Sequence, residues 1–204
     1  MLKLLFFLLL AAGPLWSQDQ YQGMVLPPHQ VFNAMQGYAE TGNWAALKKS
    51  EDDLEPLFAA LEKAMGEDAR TTLKRAISRK DRAAAAEAVT KILWLDLRFN
   101  IRKAKLAHGG RPGVDRLEIA FMDYSFLALD LRELKGGLEA DHAVRSLFKQ
   151  AYQAAEDPHQ FEDLVQQIIE RLSPHFKAEA EARRSEVPAP PKPSSIPASD
   201  PGQQ

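Results

Sequence analysis

Few residues of this chain have the type and spacing to do chemistry, and Asp96 is the most conspicuous. It stands inside Val89 to Ile101, VTKILWLDLRFNI, a run otherwise apolar almost throughout. An unpaired carboxylate there is costly, so Asp96 needs either a buried partner or an altered protonation state in a pocket. Glu139-x-x-His142 has the spacing by which one helix face offers a carboxylate and an imidazole to a metal, and His159 with Glu162 or Asp163 offers a second such neighbourhood. The two do not combine. His142 and His159 open consecutive antiparallel helices, which at 1.5 Å per residue places them roughly 20 Å apart. His142 is instead expected at the pole of His175, and His108 at the pole of His159. Acids in a first helical turn are explained by the helix dipole alone.

The other candidates are weaker on chemical grounds. Glu51-Asp52-Asp53 with Glu55 lacks the alternating ligands and glycine turn of a calcium loop, and reads as a solvated helix face. Ser125 lies within a helical pattern and outside any Gly-x-Ser-x-Gly elbow. Gly109-Gly110 and Gly136-Gly137 lack the lysine-serine pair and preceding strand of a phosphate cradle, so they read as turns. Trp44 and Trp94 fall on core seams. No catalytic, metal-binding or cofactor-binding residue is assigned, and the expected protein has no cofactor and no enzymatic activity. With 26 basic and 28 acidic side chains the chain lacks the basic footprint of a nucleic-acid binder. The absence of cysteine removes disulfides, thiolate metal sites and thiol nucleophiles together.

The elements that would position these residues are all helical. The stretch Asp81 to Lys105 is apolar on every side except a sector holding Lys91, Arg98 and Arg102, which marks a central helix covered by neighbours on most of its circumference. Asp81 is its expected N-cap. Before it, His29 to Glu40 stops at Gly42-Asn43, and Trp44, Leu47, Leu54, Phe58, Leu61 and Met65 form one seam in which Pro56 predicts a kink. Glu67 to Ser78 follows as a short helix. After the breaker cluster His108 to Gly113, helices are expected over Val114 to Lys135, Asp141 to Ala155, and from Asp157-Pro158 to a weakening or end at Ser173-Pro174. Arg98 is expected either to pair with Asp123 or Asp130, an acidic stripe at the edge of the Val114 to Lys135 helix, or, with Lys91 and Arg102, to face water.

An internal repeat organises the pattern. Leu73, Ala76, Ile77, Asp81, Val89, Ile92 and Leu93 recur as Phe148, Ala151, Tyr152, Asp157, Val165, Ile168 and Ile169, about 75 residues later. This predicts two similar three-helix units, roughly Trp44 to Asn100 and Leu117 to Pro174, in an up-and-down helical bundle. The string Ala39-Glu-Thr-Gly-Asn-Trp44-Ala-Ala resembles the opening of a tetratricopeptide repeat, but no period of about 34 residues follows. A duplicated helical bundle behind a signal peptide is similar to the imelysin and periplasmic iron-uptake lipoprotein class. Their Gly-x-His-x-x-Glu signature is absent, so neither resemblance carries a functional residue over.

The ends read differently from the middle. Residues 1–17, MLKLLFFLLLAAGPLWS, have one lysine, a short apolar run, a Gly-Pro breaker and a small residue at Ser17. That is the pattern of a secretory signal peptide, well short of the ~20 apolar residues of a span. The organisation expected is thus a signal peptide at 1–17, an extended lead-in at 18–28, a helical bundle at 29–176, a charged helical extension at 177–186 and a disordered proline-rich tail at 187–204. The functional class expected is an exported, periplasmic or secreted, non-catalytic binding or assembly protein. Its partner is a protein or small ligand, without nucleic acid and without a stable span once the signal is removed. The alternative expected is a metal- or small-ligand-binding helical protein of the uptake type.

Overall fold

The structure is a computed structural model that describes residues 28–134 and 136–186, with side chains for 30–134 and 136–176. The signal-peptide and tail readings, 1–17 and 187–204, lie outside the described residues. Eight helices and no strand occur among the described residues: α1 (Pro28–Thr41), α2 (Trp44–Asp53), α3 (Glu55–Met65), α4 (Ala69–Arg79), α5 (Arg82–Leu106), α6 (Gly110–Glu133), α7 (Gly137–Gln153) and α8 (Pro158–Glu186). None of them is long and apolar enough to cross a membrane.

The protein is an all-α helical bundle organised on α5. Asp81 caps that helix, its side chain accepting from Ala84 N–H at 3.0 Å, and Lys103 and Lys105 in the last turn complement the helix dipole. The polar sector predicted from its sequence remains outward: Lys91 and Arg102 are exposed and Arg98 is half-buried, while Val89, Ile92, Leu93, Leu95, Leu97 and Ile101 are sealed. Three-residue and four-residue turns join α5, α6, α7 and α8 into an up-and-down ring, closed by packing of α8 on α5. On the other side, α1, α3 and α4 cover the rest of α5. The most extensive helix pair is α5 with α6, which joins the two proposed repeat units, and one continuous apolar core runs from Val31 to Phe176. The packing therefore does not divide into two separate three-helix units.

Local chemistry moved several boundaries. The Trp44 to Met65 seam does stay in register, with Leu47, Leu54, Phe58 and Leu61 buried, but Pro56 produces a break rather than a kink. Leu54 is the junction, and Pro56 takes a first-turn position of α3, where its missing N–H has no helical partner to lose. Pro112 acts likewise, so α6 begins at Gly110 and absorbs Arg111 to Gly113 instead of starting at Val114. Gly136, with φ 74°, turns the chain early enough for α7 to start at Gly137 rather than Asp141. Ser173-Pro174 does not end α8. The helix runs through Pro174 because the turn beyond it is anchored, with Phe176 buried and stacked on Trp94 at 4.8 Å between ring centroids. The stretch 177–186, read as a charged extension, continues that helix in its backbone.

Candidate functional site

The polar groups of interest are held in the seams between helices. Among the described residues, the buried polar or charged side chains are Ser50, Glu51, Asp96, Asn100, Asp123 and Asp141. Three of them meet in the α5–α6 seam. The register of that seam is fixed by the tight turn after α5 and by Thr90, whose hydroxyl donates to Asp130 at 3.3 Å. Counting back from there toward the turn puts Asp96 on α5 level with Asp123 on α6. Asn100, one turn further along α5, donates through Nδ2 to the Asp96 backbone carbonyl at 3.0 Å and to its carboxylate at 3.2 Å. The second Asp96 oxygen and both Asp123 oxygens have no hydrogen-bond donor. Burial pushes the Asp96 carboxyl up to about 7 against the pull of Arg116 and Asn100. Burial and the facing Asp96 raise Asp123 well above the ordinary carboxylate range.

A third buried carboxylate, Asp141, sits at the α6–α7 turn inside a complete set of donors. Tyr124 hydroxyl, Arg132 Nε at 2.7 Å and Arg145 Nε at 2.8 Å all donate to it. Burial pushes this carboxyl up, but the three donors outweigh it and hold Asp141 below its ordinary value. Tyr124, buried and bonded to an anion, is raised in turn. The fourth, Glu51, expected on a solvated face, is instead sealed between α2 and α4. Lys48 bonds one of its oxygens at 2.5 Å, and Arg70 Nε bonds the other at 2.5 Å. Burial opposes these bonds, which nonetheless keep Glu51 low. Asp52 and Glu55 lie outside, where Lys48 and Arg70 also reach them.

The remaining sequence candidates are placed without forming a site. His108 and α8 do share a pole, but His108 Nδ1 meets Glu162 at 2.5 Å rather than His159. His142 is exposed and His175 half-buried. No group of three or more His, Asp or Glu among the described residues is arranged to hold a metal ion. Ser125 hydroxyl is bonded to the Phe121 carbonyl at 2.8 Å. Arg98 pairs with neither Asp123 nor Asp130. It bonds Glu67 at 3.0 Å, with Lys91 3.6 Å from the same carboxylate, while Arg102 donates to the Ala64 carbonyl at 2.9 Å. The basic stripe therefore ties α5 to the α3–α4 turn. Arg98 and Glu67 are each about one-third exposed, so a double-mutant cycle over Arg98→Ala and Glu67→Ala should return no more than about 1 kcal/mol in denaturant melts.

Compared with protein-family models, with curated proteins and with solved structures, the chain matches none. The geometry must therefore speak alone. It places the strongly perturbed acids where no substrate reaches them without parting α5 from α6.

The expectation for Asp96 holds in its first half, since it is buried and it has partners. Asn100 and Asp123 were missed as those partners. The i, i+4 pair Asp96/Asn100 on an apolar face was a usable signal, because two polar residues one turn apart on a core stripe tend to satisfy one another. Asp123 was read as part of an edge stripe with Asp130. In the fold Asp123 faces Asp96 and Asn100 of α5, so the buried arc of α6 extends to include it.

Proposed function

We propose that this protein is an exported, non-catalytic helical module that works by binding or assembling with a partner. The observation that carries the reading is the sealing of Asp96 and Asp123: the groups whose acidity is most altered are the least able to touch a substrate. Catalytic acids are perturbed in clefts, where a reacting atom can approach to hydrogen-bond distance. Here the altered groups lie inside the most extensive helix pair, while an open groove along α7 and α8, bordered by Ser146, Leu147, Gln150, Gln167, Glu170 and Arg171, presents amide, hydroxyl, apolar and oppositely charged side chains. Export is supported by the character of residues 1–17.

Two measurements test the proposal. Sequencing the amino terminus of protein recovered from the periplasm or medium should find it near Gln18, and an intact Met1 in a membrane fraction would contradict export. Panels of ester, phosphate, peptide and glycoside substrates should give no turnover; activity lost in Asp96→Asn would show that the buried acid is catalytic. Metal analysis of the purified protein, before and after addition of iron, zinc or copper, separates this reading from a metal-uptake role.

A further inference from the structure

We infer that the α5–α6 seam is a proton-held clasp: Asp96 and Asp123, sealed level with each other, keep the two helices closed while protonated and loosen them once both are charged. The inference rests on what surrounds the pair. Asp96 is 0% and Asp123 1% exposed, and three of their four oxygens lack a donor. Asn100 donates its amide protons to Asp96, and the same amide also favours the charged form of Asp123, though burial and the facing carboxylate outweigh it. A carboxyl group can supply the missing donor itself, because a protonated carboxyl donates one hydrogen bond and still accepts another. Two facing carboxylates without protons would instead repel in poorly hydrated surroundings, where such repulsion is strong.

Few charges modify this balance. Arg116 of α6 is half-buried and favours the charged form of Asp96, and Asp96 itself disfavours that of Asp123. The other helices packed on α5 bring ionisable groups such as Tyr38 and Glu40 on α1, Glu62 on α3, Arg70 on α4, and Glu162 and His175 on α8. All of these are at least partly exposed. Burial outweighs both Arg116 and Asn100, which leaves the protonated form favoured at the pair.

The direction of the pH effect follows. The native state holds its protons on Asp96 up to about pH 7, whereas the unfolded chain releases them near the ordinary value of 3.8. Between those limits the native state binds more protons than the unfolded state, so stability falls as pH rises. The contribution is whole below the unfolded value and is lost as pH climbs through the folded one.

The test is denaturant unfolding of the purified protein from about pH 5 to about pH 8, comparing wild type with Asp96→Asn, Asp123→Asn and the double variant. For the wild type, each proton held adds up to about a tenfold fall in the folding constant per pH unit. The difference between wild type and the double amide variant, which cancels histidines and surface acids, should amount to about 10- to 100-fold between pH 5 and pH 7 for each proton held. At the alkaline end the double variant should be the more stable. An infrared band of a buried protonated carboxyl should be present in the wild type near neutral pH and absent from the double variant. If the double variant keeps the full wild-type slope, the clasp is refuted. The melts are repeated with chelator and with calcium or magnesium: an unchanged slope supports protons, and a slope abolished by a divalent cation would show that the pair holds a metal instead. Should the double variant fold poorly, the single amides keep the test intact, since a proton-held pair requires each of them to reduce the slope.

Discussion

Replacing Arg132 and Arg145 together by alanine is expected to destabilise the protein by about 3–5 kcal/mol, more than the two single replacements added together. The arginines themselves are about two-fifths exposed and lose little when free. The cost lies in Asp141, 1% exposed, which would keep only the Tyr124 hydroxyl against a buried negative charge. Either arginine alone still neutralises the carboxylate, so each single variant should cost about 1–2 kcal/mol. In the wild type Asp141 is held below its ordinary value, so its contribution is present above that value and is lost as pH falls through the lower folded one. The double variant has lost the cations that keep the group charged. Its deficit should therefore narrow as pH is lowered toward about 4, and denaturant midpoints measured across that range would show whether it does. Additive effects of under about 1 kcal/mol would reduce the cluster to surface electrostatics.

The second large effect is expected at Gly109. This residue has φ 79° and ψ −149°, a region nearly confined to glycine, and a Cβ added there would lie 2.4 Å from the Ala155 carbonyl oxygen. That oxygen is already held at 2.7 Å by Gly110 N–H, so it cannot retreat without breaking the bond that ties the α5–α6 turn to the α7–α8 turn. Gly109→Ala combines backbone strain with a steric clash, and should cost at least about 3 kcal/mol. Gly37 is the control. It lies within α1 with nothing within 4 Å of its added Cβ, so Gly37→Ala should stabilise the protein by about 0.5–1 kcal/mol. Equal effects at the two positions in thermal or denaturant melts would sink the argument.

Much of the fold could be read from local signals. The caps at Asp81 and Asp157 operate as their sequence contexts imply, with Asp157 accepting from Gln160 N–H at 3.1 Å. The heptad-like seam through Leu47, Leu54, Phe58 and Leu61 is buried as its spacing requires. What failed was everything decided by non-local contact. Pro112 and Pro174 were weighted as breakers, yet a proline in a first turn costs nothing and one followed by a docked aromatic is tolerated. Glu51 looked solvated because its cation partner Arg70 is remote in sequence, and a single chain offers no means of pairing them. Asp123 looked peripheral because the groups that face it, Asp96 and Asn100, lie on another helix. The candidate site was thus legible as an anomaly at Asp96 but not as a pair.

The ring of α5 to α8 also has a kinetic meaning. Three of its four interfaces join chain neighbours across short turns, so they close with little loss of loop entropy, and such local topology favours rapid formation. The fourth, α8 on α5, joins residues 61 apart at Lys105 and Gln166, so it carries the larger loop-closure cost. Its distal end rests on the Trp94–Phe176 stack, and its near end on Lys105 with Gln166 and His108 with Glu162. Trp94 thus lies in the seam of largest loop-closure cost, so its indole emission, read with Trp16 and Trp44 replaced, should report ring closure separately from the formation of the helices.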